Sequence, residues 1–215
     1  MGKWSFNDQS NPGEDTSGNN NHATLSGDGL TWKTASECGL AFRGCLYFDG
    51  EANYISLPNV AGLRLTGNFT ISERIKLKHQ CALSGCNGNV LYSTRNYESG
   101  YTWGIGINNI VALSVPGGAG NPALGNTAIT LNTWTHLAVT HSGTTTTLYK
   151  DGVAFGSSTQ TPVDGGPPAI GKEPTGAGRT VGSQDPFVQF EFLKAFIDEV
   201  RVYNRALSVG EIQAL

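Results

Sequence analysis

Charge is what this sequence has least of. Asp, Glu, Lys and Arg make up 14% of its 215 residues, against roughly 25% in an ordinary globular chain. The 14 Lys and Arg form no cluster and are outnumbered by 17 Asp and Glu, giving a formal net charge of −3. The basic footprint of a nucleic-acid-binding protein is therefore missing. No apolar run approaches the roughly 18 residues that cross a bilayer, and Met1-Gly-Lys-Trp4 lacks the apolar centre of a signal peptide, so no membrane insertion is expected. Long periodic runs of Ala, Leu, Glu and Lys are also lacking, which argues against a helical protein. Catalytic signatures are equally scarce. There is no Glu-x-Asp-x-Glu string to flank a glycosidic bond, no Gly-x-Ser-x-Gly and no His-Glu-x-x-His. The four histidines, His22, His79, His136 and His141, lie far apart.

Cysteine is sparse but informative. Cys38 and Cys45 enclose six residues and Cys81 and Cys86 enclose four, so two small loops can each be closed locally by a disulfide. Zinc is the competing use, and its usual spacing suits Cys81 and Cys86 but not Cys38 and Cys45. Disulfides would place the chain in an oxidising, secreted or extracytoplasmic setting.

Glycine, by contrast, is abundant, 29 of 215 residues against a usual level of about 7%. Thr, Ser and Asn accompany it. Short segments of alternating apolar and polar residues are separated by these turn formers: Trp4 to Asp8, Cys45 to Gly50, Tyr54 to Pro58, Phe69 to Leu77, Val90 to Thr94, Tyr101 to Ile107, Ile110 to Val115, Thr133 to His141 and Thr144 to Asp151. Tyr54 to Pro58 reads as the hairpin partner of the preceding strand across Asp49-Gly50. Asn108-Asn109 and Asp151-Gly152 read as tight turns of an antiparallel meander. Residues 156–184 read mostly as loop, with Ala169-Ile-Gly171 the one strand-like piece. With no linker and no internal repeat, residues 1–215 read as one all-β domain of two packed antiparallel sheets.

Two acids stand out. Phe69, Ile71, Ile75 and Leu77 share one strand face with Glu73, which is either an inward acid or the mark of a bulge. In the last strand Asp198 shares a face with Phe196, Val200 and Val202, where a carboxylate needs a partner. Ser208 then caps Val209 to Leu215, with Glu211 at the third helical position, as a short C-terminal helical turn.

The ordered segments Trp4-Ser-Phe-Asn-Asp8, Asp15-Thr-Ser-Gly-Asn-Asn-Asn-His22, Leu46-Tyr-Phe-Asp-Gly50, Phe69-Thr-Ile-Ser72, Trp134-Thr-His-Leu-Ala-Val-Thr140, Leu148-Tyr-Lys-Asp-Gly152 and Ile197 to Ser208 resemble the laminin G-like jelly-roll domains of the concanavalin A-like lectin and glucanase superfamily. The resemblance implies a jelly-roll sandwich and a lectin-like, noncatalytic carbohydrate-binding module of a larger secreted glycan-active or adhesive protein. Alternatives on the same fold are a glycoside hydrolase or polysaccharide lyase, and a protein-binding adhesion domain. Where the family continues after Phe69-Thr-Ile-Ser with a small residue and a tryptophan, this chain has Glu73-Arg74-Ile75.

Many members of the family carry one calcium ion at a sandwich edge. The oxygen-rich loop after Asp8 points to such a site, with Asp8, Asp15, Asn20 and Asp198 as its ligands. The same residues could instead form side-chain turns and accept backbone N–H groups. For an oligo- or polysaccharide partner, the segment Tyr92 to Trp103 supplies both flat rings and planar polar groups. Arg95, Asn96, Tyr97 and Glu98 fall in a loop, Tyr92, Tyr101 and Trp103 flank it, and Trp32 offers a further platform, although Tyr101 and Trp103 suit a core equally well.

Overall fold

The computed structural model describes residues 1–39, 44–80, 88–95, 99–115, 123–159, 162–172 and 190–215. Its strands in chain order are β1 (Gly2–Trp4), β2 (Thr24–Ser26), β3 (Thr31–Thr34), β4 (Gly44–Asp49), β5 (Tyr54–Ser56), β6 (Phe69–Leu77), β7 (Gly88–Ser93), β8 (Thr102–Ile105), β9 (Ile110–Ser114), β10 (Ala123–Ala128), β11 (Trp134–Ser142), β12 (Thr145–Lys150), β13 (Val153–Ser158), β14 (Ala169–Ile170), β15 (Phe190–Glu191) and β16 (Lys194–Tyr203). Three short helices, α1 (Ala35–Cys38), α2 (Ala61–Arg64) and α3 (Val209–Gln213), punctuate them.

The strands form two sheets. One runs β13-β12-β11-β6-β16-β4-β3 with β1 added on β16, and the other runs β10-β9-β8-β7-β14-β5-β2 with β15 on β7. Pairing is antiparallel except for the two-residue contact of β15 with β7. Leu46, Phe48, Phe69, Ile71, Leu137, Val139 and Leu148 of the first sheet meet Ile55, Leu91, Trp103, Ile105, Val111 and Leu113 of the second in one buried cluster. Each such side chain contributes about 1.5–3 kcal/mol by leaving water. This is the two-sheet antiparallel jelly-roll sandwich expected from the alternation.

Turns follow their residues. Asn108 and Asn109 both have positive φ, 57° and 58°, and Asp151 and Gly152 take 49° and 78°, the geometry that matches the twist of a tight hairpin. The expected hairpin of Tyr54 with the Cys45 strand does not form. β5 pairs with β2 and β14 in the opposite sheet, because the Asp49 carboxylate captures the Glu51 N–H at 2.8 Å and the Asn53 side-chain amide, making a corner between sheets instead of a return.

β16 holds the main departure from simple alternation. Asp198 pairs with Arg74 and Arg201 with Ser72, so Glu73 alone faces both Glu199 and Val200. Glu199 adopts φ 51°. This β-bulge reverses the facing of everything before it. Ala195 and Ile197 point inward with Val200 and Val202, while Phe196 and Asp198 turn to the outer face. The expectation that Phe196 and Asp198 share the core side with Val200 is thus corrected. Glu73 itself does both things anticipated for it: it lies opposite a bulge and its side chain is buried at 1% exposure. Among the described residues neither carboxyl oxygen has a hydrogen-bond partner, and burial pushes its pKa up to about 8.

The C-terminal turn is capped as expected. Ser208 Oγ accepts the Glu211 N–H at 3.3 Å and the Glu211 carboxylate accepts the Ser208 N–H at 2.8 Å. Leu207 and Ile212 pack on Ala138 and Tyr149, covering one end of the first sheet's outer face.

Candidate functional site

Among the described residues, the N-terminal strand and the polar loop after it build a concavity. Trp4 is fully buried and its indole N–H reaches the Asn21 carbonyl at 3.1 Å. Two residues later Phe6 is also buried, yet its backbone has φ 49°, a conformation costly for a bulky L-residue. It is held there by Trp32, whose indole N–H donates to the Phe6 carbonyl at 2.7 Å. The turn at Phe6 throws Asn7 and Asp8 outward. Lys3 then returns to accept the Thr16 N–H at 2.8 Å, and Gly13 accepts the Ala23 N–H at 2.8 Å, so the loop folds back on its own strand.

Asp15 staples this loop. One carboxylate oxygen accepts the N–H groups of Lys3 and Ser17, each at 2.9 Å. The other accepts the Ser17 hydroxyl and the Asn21 N–H, also at 2.9 Å each. Burial raises the Asp15 pKa, but the donors from Lys3, Ser17 and Asn21 outweigh it and hold the group below its ordinary value.

Between strand and loop lies a cleft of about 330 Å³, lined by Ser5, Phe6, Asn7, Asp8, Asn11, Pro12, Glu14 and Thr16. That volume is at the lower end of small-ligand pockets. Its walls hold two amides, two carboxylates and two hydroxyls. The Asp8 carboxylate accepts the Ser10 hydroxyl at 2.7 Å and the Ser10 N–H at 2.8 Å, and these bonds keep its pKa low. It is an acceptor at neutral pH.

The structure disperses the four expected calcium ligands. All four lone-pair sites of Asp15 are taken by N–H and O–H donors, the opposite of what a cation requires. Asn20 is exposed on the loop. Asp198 lies beyond the bulge from Arg201, the partner of Lys3, fully buried, with one oxygen accepting the Glu199 N–H at 2.7 Å. Burial pushes its pKa up to about 7, the Glu199 N–H opposing. As folded, Asp15 staples the loop by its own hydrogen bonds. Adding calcium to chelator-treated protein is expected to leave its melting temperature unchanged, and a rise at millimolar calcium would overturn this reading, since a ligand of the folded state must stabilise it.

The expected sugar platforms also move. Tyr92, Tyr101 and Trp103 are all fully buried and cannot stack on a ligand in solution, which corrects their assignment as binding residues. A register shift in β7 between Val90 and Tyr92 sets Tyr92 opposite Trp103 on the inner face. Tyr101 stacks on Phe69 at 5.7 Å and on Tyr92 at 6.4 Å. Arg95 is likewise buried, its N–H donating to Ser93 Oγ at 3.1 Å. Asn96, Tyr97 and Glu98 lie outside the described residues, as do Cys81 and Cys86. Trp32 is half-buried and serves the cleft as a strut. Cys38 and Cys45 are joined by a disulfide, which ties α1 to β4.

Sequence reasoning missed the aromatic row on the first sheet's outer face. Tyr47, Phe196, Lys76 and Trp134 are direct register partners across β4, β16, β6 and β11. All four are half-buried. The ring centroids of Tyr47 and Phe196 are 4.9 Å apart and those of Phe196 and Trp134 6.5 Å. The row is visible in sequence only once the bulge at Glu199 is known.

Among solved structures, domain 4 of AbnA, an extracellular arabinanase of family GH43 from Geobacillus stearothermophilus in complex with arabinotriose, superposes with a TM-score of 0.68 at 18% identity over 99% of this chain and 96% of that one. The binding domain of botulinum neurotoxin DC in complex with SialylT gives 0.63 at 14% identity, covering 93% of this chain and 46% of the other. A Trypanosoma rangeli sialidase mutant displaying trans-sialidase activity gives 0.63 at 17%, with 99% of this chain matched to 32% of that one. The likeness is one of fold, and the chain spans about half of the toxin domain and a third of the sialidase. No curated protein matches. A laminin G family model, described as the concanavalin A-like lectin/glucanases superfamily, matches residues 49–213, from the Asp49 corner through the bulged β16 into α3, and the chain belongs to that family.

Proposed function

We propose that this chain is a noncatalytic carbohydrate-binding module acting outside the cytoplasm, and that the N-terminal cleft receives a neutral saccharide. The observation that carries the reading is the convergence of Asn7, Asp8, Asn11, Glu14 and Thr16 around about 330 Å³. Planar amides and carboxylates pair vicinal hydroxyls, and the strained, strutted turn at Phe6 fixes them before a ligand arrives. Solved relatives of the same fold are complexed with arabinotriose and SialylT, which supports a glycan partner. The Cys38–Cys45 disulfide supports an oxidising compartment.

Two carboxylates in one cleft also raise hydrolysis as a second reading. A glycosidase keeps one carboxyl protonated as its general acid. Ser10 pulls Asp8 the other way, which sets that carboxylate to accept hydrogen bonds from hydroxyls. A glycan array, followed by incubation of each hit with chromatographic analysis, separates binding from turnover. Bound but intact glycan is the expected result; cleaved products would favour the hydrolase, and an array with no hit would remove the lectin reading. Asn11→Ala and Asp8→Ala are each expected to weaken binding about tenfold, the worth of one hydrogen bond to a ligand hydroxyl, with melting unchanged. Unchanged affinity in both would remove the cleft from the site.

A further inference from the structure

The outer face of the first sheet gathers cations in a chain that is acidic overall. Lys76 on β6 and Lys78 just after it flank Phe196, their ammonium nitrogens 4.8 and 5.5 Å from the centroid of its ring, and exposed Lys194 on β16 accepts the Lys78 N–H at its carbonyl. Each ammonium is fixed by one planar oxygen: Lys76 Nζ donates to the Cys38 carbonyl at 2.6 Å and Lys78 Nζ to Asn132 Oδ1 at 2.6 Å. Two further N–H donors remain on each. Among the described residues no ion pair joins a carboxylate to Lys76, Lys78 or Lys194. Burial, and then the neighbouring Lys78 charge, push the Lys76 pKa down. Half-buried Tyr47 and Trp134 flank the lysines along the same row, and Trp134 is held by its own indole N–H on the Cys38 carbonyl at 2.9 Å.

An anion is the missing complement of this charge, and flanking rings call for an anion carried on an apolar C–H face. We propose that the face is a second binding surface, for a hexuronic-acid oligosaccharide, with Lys76, Lys78 and Lys194 pairing its carboxylates and Tyr47 and Trp134 meeting its rings. Carboxylates recurring along a saccharide suit this group, a pair of lysines at the Phe196 ring and Lys194 bonded across from Lys78 on the neighbouring strand. The acidic cleft around Asp8 and Glu14 repels the same ligand, so the two surfaces sort saccharides by charge. This inference rests on the carbohydrate reading but on none of the cleft residues.

Calorimetry with trigalacturonate, its methyl ester and a heparin tetrasaccharide tests it. Trigalacturonate is expected to bind the native protein, to weaken at least tenfold on methyl esterification and in Lys76→Gln/Lys78→Gln, and to weaken further as salt rises, because exposed charge pairs are screened. The exposed Lys194→Gln provides a variant that leaves the Lys76 contacts intact, with a smaller loss expected. Equal affinity for acid and ester, full affinity in the lysine variants, or heparin binding tighter than trigalacturonate would overturn the proposal. If a neutral glycan binds the cleft and trigalacturonate does not bind, this inference fails while the proposed function stands; if no saccharide of either kind binds, both fail.

Discussion

Glu73→Gln is expected to stabilise the protein at pH 8 by a few kcal/mol while leaving it unchanged at pH 4. The buried Glu73 carboxyl has no hydrogen-bond partner among the described residues, and burial pushes its folded pKa up to about 8 against an ordinary 4.5. Between those values the unfolded chain has released a proton that the folded chain still holds. Stability therefore falls as pH rises, by on the order of 1.4 kcal/mol per pH unit for one proton, and is fully present only below the unfolded value. Glutamine keeps the shape and removes the ionisation. Urea midpoints from pH 4 to 9 should show a gap between variant and native protein that opens with pH. Asp198, pushed up to about 7, adds a decline of the same sign that both proteins share. Parallel curves would show that Glu73 does not titrate as a buried acid.

Asp15→Ala is expected to cost about 2–4 kcal/mol, a large effect for one substitution. It removes the acceptor for two backbone N–H groups within the loop and for the N–H of Lys3 on the first strand. Bonds to a charged group contribute roughly 1.5–3 kcal/mol each, with losses that do not simply add because freed donors find water. Since the Asp15 pKa is held low, its contribution is present above the ordinary carboxylate range and fades as pH falls through its folded value. The native and variant melting temperatures should converge in strong acid. Because the loop also forms the cleft, the same substitution should weaken saccharide binding, and an unchanged urea midpoint would mean that the loop is held some other way.

Much of the fold was legible because period-two alternation is dictated by the pleat itself. Phe69–Leu77 emerges as read, and the turn expected at Asn108-Asn109 forms with Ile107 as a third residue, closed by the Gly106 N–H on the Ile110 carbonyl. The bulge at Glu199 was not legible. A non-glycine residue at φ 51° leaves no compositional mark, and missing it misplaced Phe196 and Asp198 and hid the row with Tyr47 and Trp134. Tyr92 and Trp103 illustrate a different limit. Rings suited to a sugar are equally suited to a core, and only the β7 register decides between these uses. In the N-terminal loop Asp15 is a side-chain acceptor, as one of the two readings open in the sequence has it. Which donors it takes depended on the return of the loop to Lys3, a contact twelve residues distant. Trp32 was legible as an unusual residue but not as a strut, because its partner is a carbonyl 26 residues earlier.

The central claim is that the cleft behind Phe6 grips a saccharide. Titrating ¹⁵N-labelled protein with the best neutral glycan from the array while following backbone amide shifts tests it most directly. Saturable shifts concentrated at residues 5–16 and the Trp32 indole N–H are expected. Shifts confined to other parts of the sandwich, with residues 5–16 silent at saturation, would contradict it.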